Sequence, residues 1–240
     1  MGIPANSTVI EAYPGYGFLS KALLKNTEAN KIVAIEGEQE FISGFLKDVE
    51  NENKDKYQLL EASPRSLYTA DYFLPKNYTG VEVFPWEQEH PSLVFVGQLP
   101  KDRSFHNAQW LNWMSCIVRR NFVYEFGRVR TFLFCRSDFA QVEHTLLSIT
   151  PHADIKLKGP NWDAFAYIIR QLFLVKTVML SKSIKSLGAG ADVLLKGVSF
   201  NPDIRVVDMT AEQFIEIAEI FDEWPHRPSA LLLTDVDSFE

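Results

Sequence analysis

Through the first hundred residues, short apolar runs alternate with polar or glycine-bearing turns, and the spacing of the apolar positions switches between extended and helical. Thr8-Val-Ile-Glu-Ala12 predicts a buried strand that runs into the turn Tyr13-Pro-Gly15-Tyr-Gly17. Leu19, Ala22, Leu23 and Leu24 then follow at helical spacing, and this helix should end near Asn26. Lys31-Ile-Val-Ala-Ile-Glu36 predicts a second buried strand that ends on an acid. Phe41, Phe45, Leu46 and Val49 mark one face of a second helix, and a polar linker over 50–56 leads to a third strand, Tyr57-Gln-Leu-Leu60. Residues 65–91 carry Pro75, Pro85 and Pro91 without a clear period and are expected to form an irregular crossover. Ser92-Leu-Val-Phe-Val-Gly97 is the fourth strand, running into Gln98-Leu-Pro-Lys101.

Beyond residue 100 the pattern lengthens. A helix over 107–118 leads into Asn121–Phe134, whose tail is a fifth strand, and a helix and a short strand at Asp154–Lys158 are expected before Pro160. A long helix over 162–187 follows. The helix Ala211–Trp224 packs behind it through Phe214, Ile217, Ala218 and Phe221. Strands alternating with helices, then helices alone, predict an α/β domain over 1–158 with a mostly parallel five-stranded sheet. A small helical domain over 159–240, ending in an acidic tail, completes the chain.

With 240 residues, 46% of them hydrophobic, the chain can bury a sizeable core. Cys116 and Cys135 lie in apolar surroundings far from any partner at ligand spacing, so both read as buried thiols of a reducing compartment. The longest apolar stretch, 164–180, is interrupted by Arg170, Gln171 and Lys176, which excludes a membrane span. No cleavable presequence is visible at the N-terminus. His90, His106, His144, His152 and His226 have no ligand spacing, and no metal is expected.

Charge divides the chain more sharply than its net of −7 suggests. Residues 101–200 carry 14 basic and 7 acidic side chains, whereas residues 201–240 carry 2 and 10. Arg119, Arg120, Arg128, Arg130, Arg170 and Lys176 are therefore candidates for neutralising nucleic-acid phosphates, with a solvated face as the plain alternative. Trp110, Trp113, Phe122 and Phe126 are expected in the core.

The first turn carries the chemistry. Gly15 and Gly17 let backbone approach a ligand closely, and the amides of the following helix can face an anionic group. Glu36 stands about twenty residues further on, where an acid in dinucleotide- and nucleoside-binding folds accepts hydrogen bonds from ribose hydroxyls. After the third strand, Glu61 or Ser63 is placed to contact a base, Ser63 equally to cap a helix.

Strand, glycine turn, strand ending in acid, strand, then strand with a polar-x-Pro turn is the order of S-adenosylmethionine-dependent methyltransferases. Ile10-Glu11-Ala12-Tyr13-Pro14-Gly15-Tyr16-Gly17 resembles the Leu-Glu-x-Gly-x-Gly-x-Gly of the ribosomal RNA adenine dimethyltransferases, Tyr13 excepted. Gln98-Leu99-Pro100-Lys101 stands where those enzymes carry Asn-Leu-Pro-Tyr or Phe. Asn121–Phe134, Asn161-Trp162-Asp163, Arg170 with Phe173 and Lys176, and Glu223-Trp224-Pro225 are similar to blocks of the B-type mitochondrial transcription factors, above all the fungal initiation factor.

That resemblance implies a Rossmann-like methyltransferase sheet, whose usual last hairpin this sequence departs from. It implies an S-adenosylmethionine pocket at Glu11, Gly15, Gly17, Glu36, Glu61, Ser63 and Gln98, with Gln98 at the family's catalytic position. It implies a factor of the mitochondrial matrix that binds mitochondrial RNA polymerase and promoter DNA at the melted strand. The alternative it implies is dimethylation of small-subunit ribosomal RNA. Gln98 places its amide one methylene further out than asparagine and Lys101 cannot stack as a ring does, so methyl transfer is not expected. Only seven residues precede the first strand and the last hairpin is not found, which reads as a trimmed chain or an incomplete gene model with an exposed sheet edge.

Overall fold

Strand β1 (Thr8–Ala12) is buried on both faces, as a near-continuous apolar run requires of a central parallel strand. In the computed structural model, which describes residues 2–62, 81–98, 113–135, 145–157, 161–228 and 231, it pairs in parallel with β2 (Lys31–Glu36) on one side and β4 (Glu89–Gln98) on the other. Strand β3 (Tyr57–Glu61) extends the sheet beyond β2, and β5 (Arg128–Cys135) extends it beyond β4. The sheet has six strands, in the order β3-β2-β1-β4-β5-β6. The sixth, β6 (Thr145–Ile149), runs antiparallel to β5 and corrects the five-stranded expectation. Asp154–Lys158 is not that strand: 154–157 are irregular, and Lys158 lies outside the described residues. A five-residue edge strand with half its side chains in water gives little periodic signal, which is why the sequence conceals it.

The sheet carries apolar layers on both faces. Ile10, Val33, Ile35 and Phe95 pack with Trp113, Phe122, Tyr124 and Phe126 on one face. Val9, Ile32, Ala34 and Val94 pack with Leu23 and Val49 on the other. Leu23 comes from helix α1 (Phe18–Asn26), which buries Ser20 and Leu23 and leaves Ala22 exposed. Val49 comes from a helical run, α2, made of Gln39–Phe41, a π-turn Ile42–Leu46 and Lys47–Glu52. The wide turn rotates the helix so that Ile42, Leu46 and Val49 are buried, while Phe45 stays exposed against expectation. Helix α3 covers 113–119, and a 3₁₀ stretch Phe122–Phe126 follows it.

The chain divides into two compact units, 1–155 and 156–240. The second has its own core of Ala164, Ile168, Leu172, Leu180, Ile184, Leu187, Phe214, Ile217, Ala218 and Phe221. Its helix α4 (Trp162–Phe173) stops well short of residue 187, which corrects the long-helix expectation. The chain leaves α4 because 176–181 bonds to a distant segment. Val207 and Val206 donate to the Lys176 and Val178 carbonyls (2.9 and 3.2 Å), and Leu180 and Ser181 donate to Ile204 and Pro202 (2.8 and 3.1 Å). The β-branched Val175, Thr177 and Val178 weaken the helical alternative. Helix α5 (Ala211–Asp222) opens on a capping box between Thr210 and Gln213, and Phe214, Ile217, Ala218 and Phe221 form its buried face as expected. Among the described residues no helix is long and apolar enough to cross a membrane.

Candidate functional site

The strand order reverses between β1 and β4, and the crevice beyond the carboxyl ends of such strands is where open α/β sheets bind ligands. Ala12 is in register with Ile35 and with Gly97, so Glu36 and Gln98 sit one residue further along on either side of Tyr13. The glycine turn hangs over this point. Gly15 adopts φ 55° with open space where a Cβ would stand, and Gly17 adopts φ 73° with Leu46 Cδ2 only 3.1 Å from that place. The first glycine thus keeps a gap open above the crevice, and the second lets α2 close in behind the turn.

Glu36 is buried and holds the turn directly. Its Oε2 accepts the Gly15 N–H at 3.1 Å, and its Oε1 accepts those of Gly37 and Glu38 at 2.9 and 3.0 Å. A carboxylate has room for about four hydrogen bonds, so Oε2 retains a lone pair toward a hydroxyl. Glu11 lies deeper, fully buried, and accepts from Ser20 Oγ at 2.7 Å; Ser20 Oγ is also 3.2 Å from Tyr57 Oη. Burial pushes the Glu11 carboxyl up to about 7, the Ser20 hydroxyl opposes this, and the charge of Glu36 adds to it. Its Oε1 is buried without a hydrogen-bond partner. Burial also raises the Tyr57 hydroxyl, with Glu11 beside it contributing.

Tyr13, where the resembling motif has glycine, keeps a glycine-like backbone at φ 58°. A non-glycine residue there costs about 1–2 kcal/mol. The turn geometry survives the substitution, and the ring packs against the core on one face of the sheet. Tyr16 lies edge-on to Phe41 and Phe45, with ring centroids 4.9 and 5.0 Å apart, and Phe18 stands beside it, largely exposed. Gln98 ends β4 with its side chain exposed, whereas Leu99, Pro100 and Lys101 lie outside the described residues. Glu61 is half exposed and ion-paired with Lys47 at 3.1 Å; Ser63 lies outside the described residues.

The basic candidates have different surroundings. Arg128 donates to the carbonyls of Pro151 and Glu87 at 3.2 and 3.3 Å, and Arg130 pairs with Glu89 at 2.7 Å. Arg120 lies over the Trp86 ring at 4.6 Å from its centroid. Arg119 is exposed at the end of α3, and Arg170 and Lys176 are exposed in the second unit. Trp113, Phe122 and Phe126 are core residues as expected; Trp110 lies outside the described residues. Cys116 is buried, and burial pushes its thiol up to about 12. Among the described residues no cluster of His, Cys, Asp or Glu is arranged to hold a metal.

No protein-family profile matches the chain. It is 22% identical to dimethyladenosine transferase 1, mitochondrial, of Vermamoeba vermiformis, over 93% of this chain and 84% of that protein. It is 24% identical to dimethyladenosine transferase 2, mitochondrial, of Bos taurus, over 91% of this chain and 71% of that protein. It is 22% identical to mitochondrial transcription factor 1 of Saccharomyces paradoxus, over 99% of this chain and 86% of that protein. The chain is a divergent relative of these proteins. Its fold is that of a dimethyladenosine transferase from Plasmodium falciparum, with a TM-score of 0.52 at 15% identity over 90% of each chain. The methyltransferase scaffold expected from the turn motifs is therefore present.

Within that scaffold, sequence reasoning missed Ser20, Tyr57 and the aromatic group around Tyr16. One signal was available. Ser20 is a polar residue three positions before Leu23, on the buried face of α1, and a buried hydroxyl implies a polar partner beneath it.

Proposed function

We propose that this chain is a mitochondrial transcription initiation factor, which binds mitochondrial RNA polymerase and helps melt promoter DNA on a methyltransferase scaffold that no longer transfers methyl groups. The observation that carries this reading is the turn after β4. Gln98 and Lys101 replace the asparagine and the aromatic residue that hold and stack a target adenine in the resembling enzymes. Similarity to mitochondrial transcription factor 1 over 99% of the chain supports it, and the names of the relatives support a mitochondrial location, the matrix being the compartment such a factor requires. Arg119, Arg120, Arg170 and Lys176 are the cations this reading offers to the melted strand. Arg128 and Arg130 are withdrawn from that set, because their guanidinium groups already serve backbone carbonyls and Glu89.

Base-analogue fluorescence in a mitochondrial promoter tests the proposal. A rise that needs both the polymerase and this chain is expected. A folded chain that gives no rise overturns it.

A second reading, S-adenosylmethionine binding with ribosomal RNA dimethylation, is favoured by the open space at Gly15 and the remaining lone pair of Glu36. The turn fits such a group: Gly15 and Gly17 would approach it, Glu36 would accept from its ribose, and Glu11 lies beneath. When bound, the cofactor supplies a methyl group. Gln98 would accept a hydrogen bond from the receiving amine. Restoring Gln98→Asn and Lys101→Tyr together separates the readings, since methyl transfer gained only by the restored chain marks a lapsed enzyme.

A further inference from the structure

Helix α4 ends by turning its apolar side chains outward. Five consecutive residues, Phe173–Thr177, are exposed. Leu174 is 75% exposed, and Phe173, Val175 and Met179 are 43%, 39% and 39% exposed. A continuing helix would have carried part of this run back to the core. The turn is not loosely held. Its backbone is tied to 202–207 by the four hydrogen bonds described above, which bring Val207, 47% exposed, beside Lys176. The Phe173 ring also rests 5.8 Å from that of Phe214. A fixed, exposed aliphatic ridge of this kind marks an interaction site.

Its own stretch of chain is basic. No acidic residue occurs from Ala164 to Gly190, whereas Arg170, Lys176, Lys182 and Lys185 do. Of the acids that 202–208 brings alongside, Asp208 is ion-paired with Arg205 at 2.6 Å, and Asp203 accepts from the Ser181 hydroxyl at 2.8 Å. Nucleic-acid strands are gripped by flat aromatic faces between cations. Here the turn's one aromatic ring, Phe173, lies tilted against Phe214, while Leu174, Val175, Met179 and Val207 offer aliphatic surface, with methionine adding adaptability, and that suits protein.

We infer that the 173–179 turn, with Val207, is a protein-docking surface for an apolar segment flanked by acidic residues, and that on the proposed function this segment belongs to the mitochondrial RNA polymerase. The inference rests on that reading and assigns Lys176 to the protein contact rather than to the melted strand.

The test uses the full-length chain, the polymerase without DNA, and a single-stranded oligonucleotide. Leu174→Ser with Val175→Ser should weaken polymerase binding by roughly tenfold or more while leaving the thermal melt and the oligonucleotide affinity unchanged. Val207→Ser, on the neighbouring segment, should act in the same direction. Lys176→Glu should weaken binding in a way that fades as salt rises. Wild-type binding that all these variants retain overturns the docking surface and leaves the initiation-factor reading standing. A wild-type chain that does not bind polymerase overturns both. Loss of oligonucleotide affinity with polymerase binding intact overturns the docking surface in favour of a nucleic-acid contact.

Discussion

The glycine turn and the arginine-bearing strand β5 both looked functional in the sequence, and the structure treats them in opposite ways. At the turn, Glu36 spends three hydrogen bonds on backbone amides and in doing so holds a gap open above the sheet. At β5, Arg128 and Arg130 spend theirs on the protein itself, tying 87–89 and Pro151 to the strand. Charge in a sequence signals chemistry. Whether that chemistry faces inward or outward depends on partners that are distant along the chain.

The contrast can be broken most forcefully at Glu36. Glu36→Ala takes a charged acceptor from three amides, and a hydrogen bond to a charged group contributes about 1.5–3 kcal/mol. A loss of about 3 kcal/mol or more in a urea melt is expected, with Glu36→Gln less severe. An unchanged melt would mean that the turn holds itself.

Glu11 gives an effect of similar size with a definite pH signature. Its carboxyl titrates near 7 when folded against an ordinary value of 4.5, so between these pH values the folded chain binds a proton that the unfolded chain has released. This contribution to stability is present below pH 4.5 and is lost as pH rises through 7, to a total of about 3 kcal/mol. Glu11→Gln, which resembles the neutral acid, should melt higher than wild type at pH 8 and show little difference at pH 4.5. Parallel melting curves for the two chains across that range would show that Glu11 is not held as described.

The arginine side sharpens the comparison with smaller numbers. Arg128→Ala should cost about 1–2 kcal/mol of stability, because two carbonyls lose a charged donor. Arg130→Ala removes only a partly exposed ion pair and should cost less than about 1 kcal/mol. For both, any loss of promoter opening should follow the loss of stability and should not vary with salt. A salt-dependent defect in a fully folded variant would return these residues to the nucleic-acid set.

The order of β1 to β4, the turn glycines and the terminal acid of β2 were all legible, because buried parallel strands leave continuous apolar runs and the polar residues at their ends then stand out. Three features were not legible. Strand β6 is short and half-wet; the end of α4 is dictated by backbone amides and carbonyls of 202–207, far along the chain; and the partners of Arg128 are backbone atoms, which carry no sequence signature. The exposed ridge at 173–179 was hidden for the second of these reasons, since the sequence predicts one helix over 162–187 and the helix in fact ends at Phe173.

The wide turn at Ile42–Leu46 brings together two places far apart in the chain. It carries Leu46 to within 3.1 Å of the point where any side chain at position 17 would begin. Deleting a single residue from 42–46 would swing everything after it by about 100° and withdraw Leu46 from behind the glycine turn. A side chain at 17 would have to push Leu46 aside as well as adopt the positive φ of that position, so the two positions press on one another even though helix α1 and strand β2 lie between them.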